Sequence, residues 1–114
     1  MTCKSINTSD ELDITEITYI YHTLNKIEKI ETTVKYEIKD QALTKGFNNI
    51  FEDIKEKYND NNIKREETIE ENIYELKITY NPRKIDKEML NKLNSPLKLR
   101  KYKEYLETQN MTCE

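Results

Sequence analysis

The chain has 114 residues, 36% charged and 35% apolar, with 22 acidic against 19 basic side chains and a formal net charge of -3. That is the size of one small domain, and 26 Leu, Ile, Val and Phe residues allow a modest core rather than a disordered chain. No run approaches the ~18 uninterrupted apolar residues of a membrane span, and the polar stretch from Met1 to Asp13 lacks the apolar core of a signal peptide, so a cytoplasmic protein with no membrane partner is expected.

Ile, Lys, Asn, Glu and Tyr fill 66 positions, while Ala, Val and Gly occur once each. The first group, apart from Glu, has A/T-rich codons, so the bias points to an A/T-rich genome, such as that of a phage or other mobile element. Cys3 and Cys113 stand near opposite ends, inside the same tripeptide Met-Thr-Cys. The default reading is two free thiols on frayed termini, at about 1–9 and 109–114, in a reducing cytosol. The competing reading is a bridge joining the ends, worth ~4 kcal/mol in the chain-entropy model.

The first element is ambiguous. The β-branched and aromatic run Ile17 to Thr23 favours a strand that pairs with 33–39 as a long hairpin, turning near Asn25. Ile14, Ile17, Tyr21, Leu24 and Ile27 also fit a helical stripe over 13–29, with Asp13 and Glu16 spaced as a capping box. Val34, Tyr36 and Ile38 alternate with polar residues and predict a half-buried strand. From Gln41 to Tyr58, apolar residues recur at spacings of three and four, the mark of an amphipathic helix that Asp40 can cap and Asn59 to Asn62 end. Phe47, Ile50 and Ile54 are expected to face inward together. Gly46 costs this helix ~1 kcal/mol relative to Ala, which a close neighbouring chain would explain.

Ile63 to Ile69 reads as a weak strand or as irregular, whereas Tyr74, Leu76, Ile78 and Tyr80 predict a second clear strand. Asn81 and Pro82 stop it, since proline lacks a donor. Asp86 caps a short helix through Leu93, with Ile85 and Leu90 as its hydrophobic staple. Ser95 and Pro96 start a last helix, buried through Leu99, Tyr102 and Leu106. The sum is one α+β domain, order ββαββαα, with an antiparallel sheet of about four strands and the helices on one face.

Catalytic signals are sparse, and a non-enzymatic protein with no cofactor is expected. A single glycine excludes a GxGxxG fingerprint and a phosphate-cradling loop. One histidine, His22, and two distant cysteines give no zinc-ligand spacing, and His22, within an aromatic strand run, reads as a partly buried structural residue. Charge is more informative. Residues 1–82 carry net -6 and residues 83–114 net +3. Lys98, Arg100, Lys101 and Lys103, interleaved with Tyr102 and Tyr105, form a candidate surface for a protein partner or for nucleic-acid phosphates, a tyrosine stacking on an unpaired base. Glu66, Glu67, Glu70, Glu71 and Glu75 form an acidic strip, read as a solvated hairpin edge that discourages strand pairing or as a phosphate mimic. The resulting expectation is a small protein acting by stoichiometric association with a protein or nucleoprotein partner, an accessory or inhibitor protein of a mobile element. Direct DNA or RNA binding by the basic C-terminal helices is the alternative.

Overall fold

The computed structural model describes residues 1–94 and 97–114. The strands are β1 (Thr2–Thr8), β2 (Leu12–Thr23), β3 (Lys26–Ile38), β4 (Ile63–Glu70), β5 (Ile73–Tyr80) and β6 (Thr112–Cys113), and the helices are α1 (Gln41–Glu56), α2 (Lys87–Leu93) and α3 (Leu99–Thr108). A 3-10 turn, Pro82–Lys84, precedes α2. The strands form one six-stranded antiparallel sheet in the order β4-β5-β3-β2-β1-β6. The chain runs β1-β2-β3 as a meander, crosses over through α1 to the outer strand β4, and turns back so that β5 inserts beside β3.

The α+β class and helices over one sheet face agree with the expectation, but the sheet of about four strands and the order ββαββαα do not. Two strands come from the ends expected to fray: β1 pairs along its whole length with β2, and β6 closes on β1 at Cys3 and Lys4. Their sequences hide them, because Thr2–Thr8 has only Cys3 and Ile6 as apolar residues and Thr112–Cys113 is two residues long. Cys3 stands directly opposite Cys113, and the two are bridged, with Cα atoms 4.0 Å apart and a sequence separation of 110. The default reading of free thiols is thus overturned.

The helical alternative over 13–29 also fails, because β2 and β3 form a continuous hairpin there. Registers explain why it was attractive. Leu12, Ile14, Glu16, Thr18 and Ile20 point toward the helices, whereas Ile17 and Tyr21 of the supposed stripe point to the opposite face. Two inward positions are polar, so the period of two was masked. Ile63–Glu70 is a regular eight-residue strand rather than an irregular one. The proposed helix start at Ser95 and Pro96 lies outside the described residues.

In α1, the Asp40 carboxylate accepts from the Ala42 N–H at 2.9 Å. Its inward face is Phe47 and Phe51, flanked by half-buried Leu43, Ile54 and Tyr58, whereas Ile50 is 45% exposed. The core trio Phe47, Ile50 and Ile54 is corrected accordingly. Phe51 lies on the other flank of the stripe from Ile50, and its ring meets Tyr74 at 5.3 Å and Phe47 at 6.3 Å. Tyr74, Leu76 and Ile78 of β5 complete the core beneath α1, and Tyr80, Ile85, Met89, Tyr102 and Leu106 continue it under α2 and α3. Nothing lies within 4 Å of a Cβ built on Gly46, so no close neighbour accounts for that glycine.

Candidate functional sites

Tertiary structure redistributes the charged residues that the sequence groups. Lys98, which precedes α3, bridges to Lys26 at the start of β3, and the N–H groups of Leu99 and Arg100 donate to the carbonyl and side-chain oxygens of Asn25. The C-terminal basic segment is thereby tied to the β2–β3 turn. Arg100, Lys101 and Lys103 are exposed, but Arg100 lies 3.7 Å from Glu104 on the same helix. Tyr102 is 6% exposed, packed in the core and hydrogen-bonded to Tyr80, so its ring is closed to an incoming base. Tyr105 is half-buried and stacked on Tyr102 at 6.4 Å.

The acidic strip is divided by the pleat of the β4–β5 hairpin. Glu67 points to the helix side, where it and Glu52 flank the Lys55 ammonium. Glu66 and Glu70 point to the open face, as does Glu75 on β5, while Glu71 occupies the two-residue turn. Lys64, 3.0 Å away, holds the Glu66 carboxyl below its ordinary range. β4 is one of the two edge strands of the sheet. The strip therefore does not form one continuous acidic surface.

The β2–β3 turn carries a site that the sequence reading passed over. Leu24 and Asn25 are the two residues between the strands, and Leu24 has φ 56° and is 89% exposed. With one glycine in the chain, other residues must take left-handed turn positions, and Glu71, Asn94 and Asn110 do so too. Asn tolerates that conformation and Glu71 is solvated, but a leucine there combines backbone strain with apolar exposure. Beside it is an apolar-walled hollow of about 490 Å³, lined in part by Leu24 and Leu97 and by Lys26, Arg83 and Lys98. His22, expected to be partly buried, is exposed, with Nδ1 2.9 Å from the Leu24 carbonyl oxygen. The signal available in sequence was Leu24-Asn25 itself, an apolar residue inside a turn.

A second arrangement lies on the covered face. Every inward residue of β5 is buried, and so are Cys3, Thr18 and Ile20 on β1 and β2, but two neighbouring rows of β1, β2 and β3 are less covered. Ser5, Glu16 and Val34 stand in one row across β1, β2 and β3, and all three are only half-buried, as are Ile14 and Tyr36 one row away. Lys55 pairs with β4, so the opposite flank of α1, bearing Ile50 and Lys57, faces this gap. Tyr36, Tyr58 and Tyr102 lie within electrostatic reach of the Glu16 carboxyl. Burial raises the Glu16 carboxyl above its ordinary range, against the opposing pull of Lys57. Burial also pushes the Tyr58 phenol up to about 12 and raises those of Tyr36 and Tyr102. Among the described residues no group of three His, Cys, Asp or Glu side chains is placed to hold a metal ion, and no helix is long and apolar enough to cross a membrane.

No protein-family model matches the chain, and no curated protein matches it either. Its fold is similar to that in the NMR structure of the Escherichia coli YehR protein, with a TM-score of 0.70 over 97% of this chain and 88% of that one. At 13% identity the likeness establishes the fold alone.

Proposed function

We propose that this is a non-enzymatic binding protein that associates stoichiometrically with a protein partner through the β2–β3 turn, as an accessory or inhibitor protein of a phage or other mobile element. The observation that supports it most is Leu24, held exposed at a left-handed turn position beside an apolar hollow with Lys26, Arg83 and Lys98 in its wall. An apolar anchor within a cationic rim suits a partner segment that offers a hydrophobic side chain among carboxylates. The anchor supplies desolvated contact area, and the rim supplies steering and register. The opposite end of the sheet, with Asp10, Glu11, Glu70 and Glu71 at its turns, carries the other sign of charge and would repel the same partner.

Direct nucleic-acid binding is the second reading, favoured by the exposure of Arg100, Lys101 and Lys103 on α3. The Arg100–Glu104 pair and the burial of Tyr102 count against it, because they remove one phosphate contact and the stacking ring. One experiment separates the two. Tagged wild-type protein and the Leu24→Ser/Leu97→Ser variant are used to recover partners from source-cell extract, with and without nuclease, and both are titrated with oligonucleotides at two salt concentrations. A nuclease-insensitive stoichiometric partner that the variant binds at least about tenfold more weakly supports the proposal. Equal recovery by the variant overturns it. A steep salt slope with oligonucleotides that flattens in Lys98→Ala/Lys101→Ala puts the nucleic-acid reading first.

A further inference from the structure

Glu16 is the least explained charged residue in the molecule. It points toward the helices from the middle of β2, is half-buried, and has no hydrogen bond or ion pair within 4 Å among the described residues. A carboxylate in that position gives up hydration without a protein donor in return, a cost that ordinarily selects against it. Around it the fold has left space. The inward residues of β1, β2 and β3 in its row and the next are half-covered, although the inward residues of β5 at the same levels, Tyr74 and Leu76, are sealed by α1. Apart from the Lys57 ammonium, the groups that reach Glu16 electrostatically are phenols, and a phenol presents a ring face as well as a hydroxyl.

The geometry points to a binding site for a small organic ammonium ion over the half-covered row of Ser5, Glu16 and Val34 beside α1, with the Glu16 carboxylate as counter-ion and the rings of Tyr36 and Tyr58 as its walls. Two features of the gap fit that ligand. Ring faces attract a cation by their quadrupole, and the attraction grows where water is excluded. The molecule also supplies its own analogue of such a ligand, since the Lys57 ammonium sits 5.8 Å from the Tyr58 ring centroid and is drawn toward Glu16 without reaching it. Lys57 is exposed on a flexible stem, so a diffusible ammonium can displace it at little cost. Ser5, directly across from Glu16 on β1, offers one hydroxyl for a primary amine. An anion would be repelled by Glu16, and a neutral polyol would find hydrogen bonds but no use for the ring faces as cation seats. This site lies on the covered face, away from the β2–β3 turn, and does not depend on what binds there.

The test is a titration of the intact, disulfide-bonded protein with tetramethylammonium and butylammonium, followed by backbone amide NMR, with neopentanol and acetate as neutral and anionic counterparts. Saturable shifts at Ser5, Glu16, Tyr36 and Tyr58 with the two cations, and not with the counterparts, are expected. Glu16→Gln keeps the side-chain volume and should weaken binding by roughly tenfold or more, as loss of a charge-assisted contact implies. Lys57→Gln removes the resident competitor and should tighten binding severalfold. Absence of saturation with either cation overturns the proposal, as does undiminished binding by Glu16→Gln. Preferential binding of neopentanol, or of acetate with Lys57→Gln weakened, overturns it in favour of another ligand class. Should Glu16→Gln fail to fold, the sign of the Lys57→Gln effect decides by itself.

Discussion

The two faces of the sheet are built from the same strands yet obey different rules, and β5 shows it in eight residues. Tyr74, Leu76, Ile78 and Tyr80 are buried, whereas Ile73, Glu75, Lys77 and Thr79 between them are only half-covered. On the open face, cross-strand partners are charges and small polar groups such as Lys77 with Glu31 at 3.4 Å, and Lys29 over the Tyr21 ring at 4.2 Å. On the covered face strand rings instead meet a ring of α1 in tilted and edge contact, Tyr74 with Phe47 at 4.8 Å and Tyr36 with Phe47 at 5.3 Å. The difference teaches that alternation sets which residues share a face, while stability comes from whichever face finds a second layer. It also shows the covered face to be unevenly covered, because three helices of 16, 7 and 10 residues do not tile a six-stranded sheet.

The sharpest way to break this comparison is to truncate one residue on each face. Phe51, 1% exposed, should cost about 3–5 kcal/mol on Phe51→Ala, because transfer and cavity terms add. Lys77→Ala should cost under ~1 kcal/mol, since an ion pair on a wet face gains little beyond its desolvation and entropy costs. Urea denaturation of both variants measures this, and similar losses would mean that the faces do not differ as described. Next in size is the bridge at the sheet's far edge, where a covalent link joins β1 to the two-residue strand β6. Cys3→Ser/Cys113→Ser should lower stability by ~2–4 kcal/mol, chiefly by freeing the unfolded chain. A variant with an unchanged denaturation midpoint would show that pairing of β1 with β2 and α3 packing hold that edge unaided.

The smallest effect is a pH dependence confined to the covered face. A phenol whose folded pKa is raised holds its proton more tightly in the folded state. The stability tied to Tyr58 is therefore full below its ordinary value of 10.0 and is lost as pH rises from there through about 12. Tyr36 and Tyr102 act in the same direction. Alkaline titration followed by near-ultraviolet tyrosinate absorbance should therefore show a late group of phenols that ionise together with loss of native structure. Tyr58→Phe should move that transition to higher pH, and an unmoved transition would show that the phenol titrates freely.

Legibility tracked the strength of local patterning. The inward alternation of Tyr74 to Tyr80 and the helical stripe of Leu43, Phe47, Ile54 and Tyr58 could be read because each repeats one residue class at a single period. β2 could not be read in full, because Glu16 and Thr18 take inward positions and Ile17 and Tyr21 outward ones, which inverts the usual partition. That inversion is the same fact that creates the candidate ammonium site, so the misread strand and the missed site share one cause. Placing Phe51 rather than Ile50 in the core required knowing that α1 leans toward β4 and β5, a choice helical spacing leaves open across about 100° of arc. The cationic residues were legible as a cluster in sequence, but their grouping with Leu24 and Lys26 was not, because Asn25 and Leu99 are joined only by folding.

By itself, then, the sequence determined the class and the chemistry withheld: α+β from two distinct periodicities, no glycine-rich phosphate loop from a single glycine, no histidine-based metal cluster from a single histidine. Those conclusions rest on composition and on spacings within one element, which the chain carries before it folds. Only the tertiary structure decided that the ends pair and bridge at Cys3 and Cys113, that Tyr102 is core and Leu24 surface, and that Glu16 points inward from a half-covered row of the sheet. Each of these depends on contacts between residues far apart in sequence, and such contacts are selected by the closing of the sheet and the limited reach of its helical cover, quantities that no local window contains.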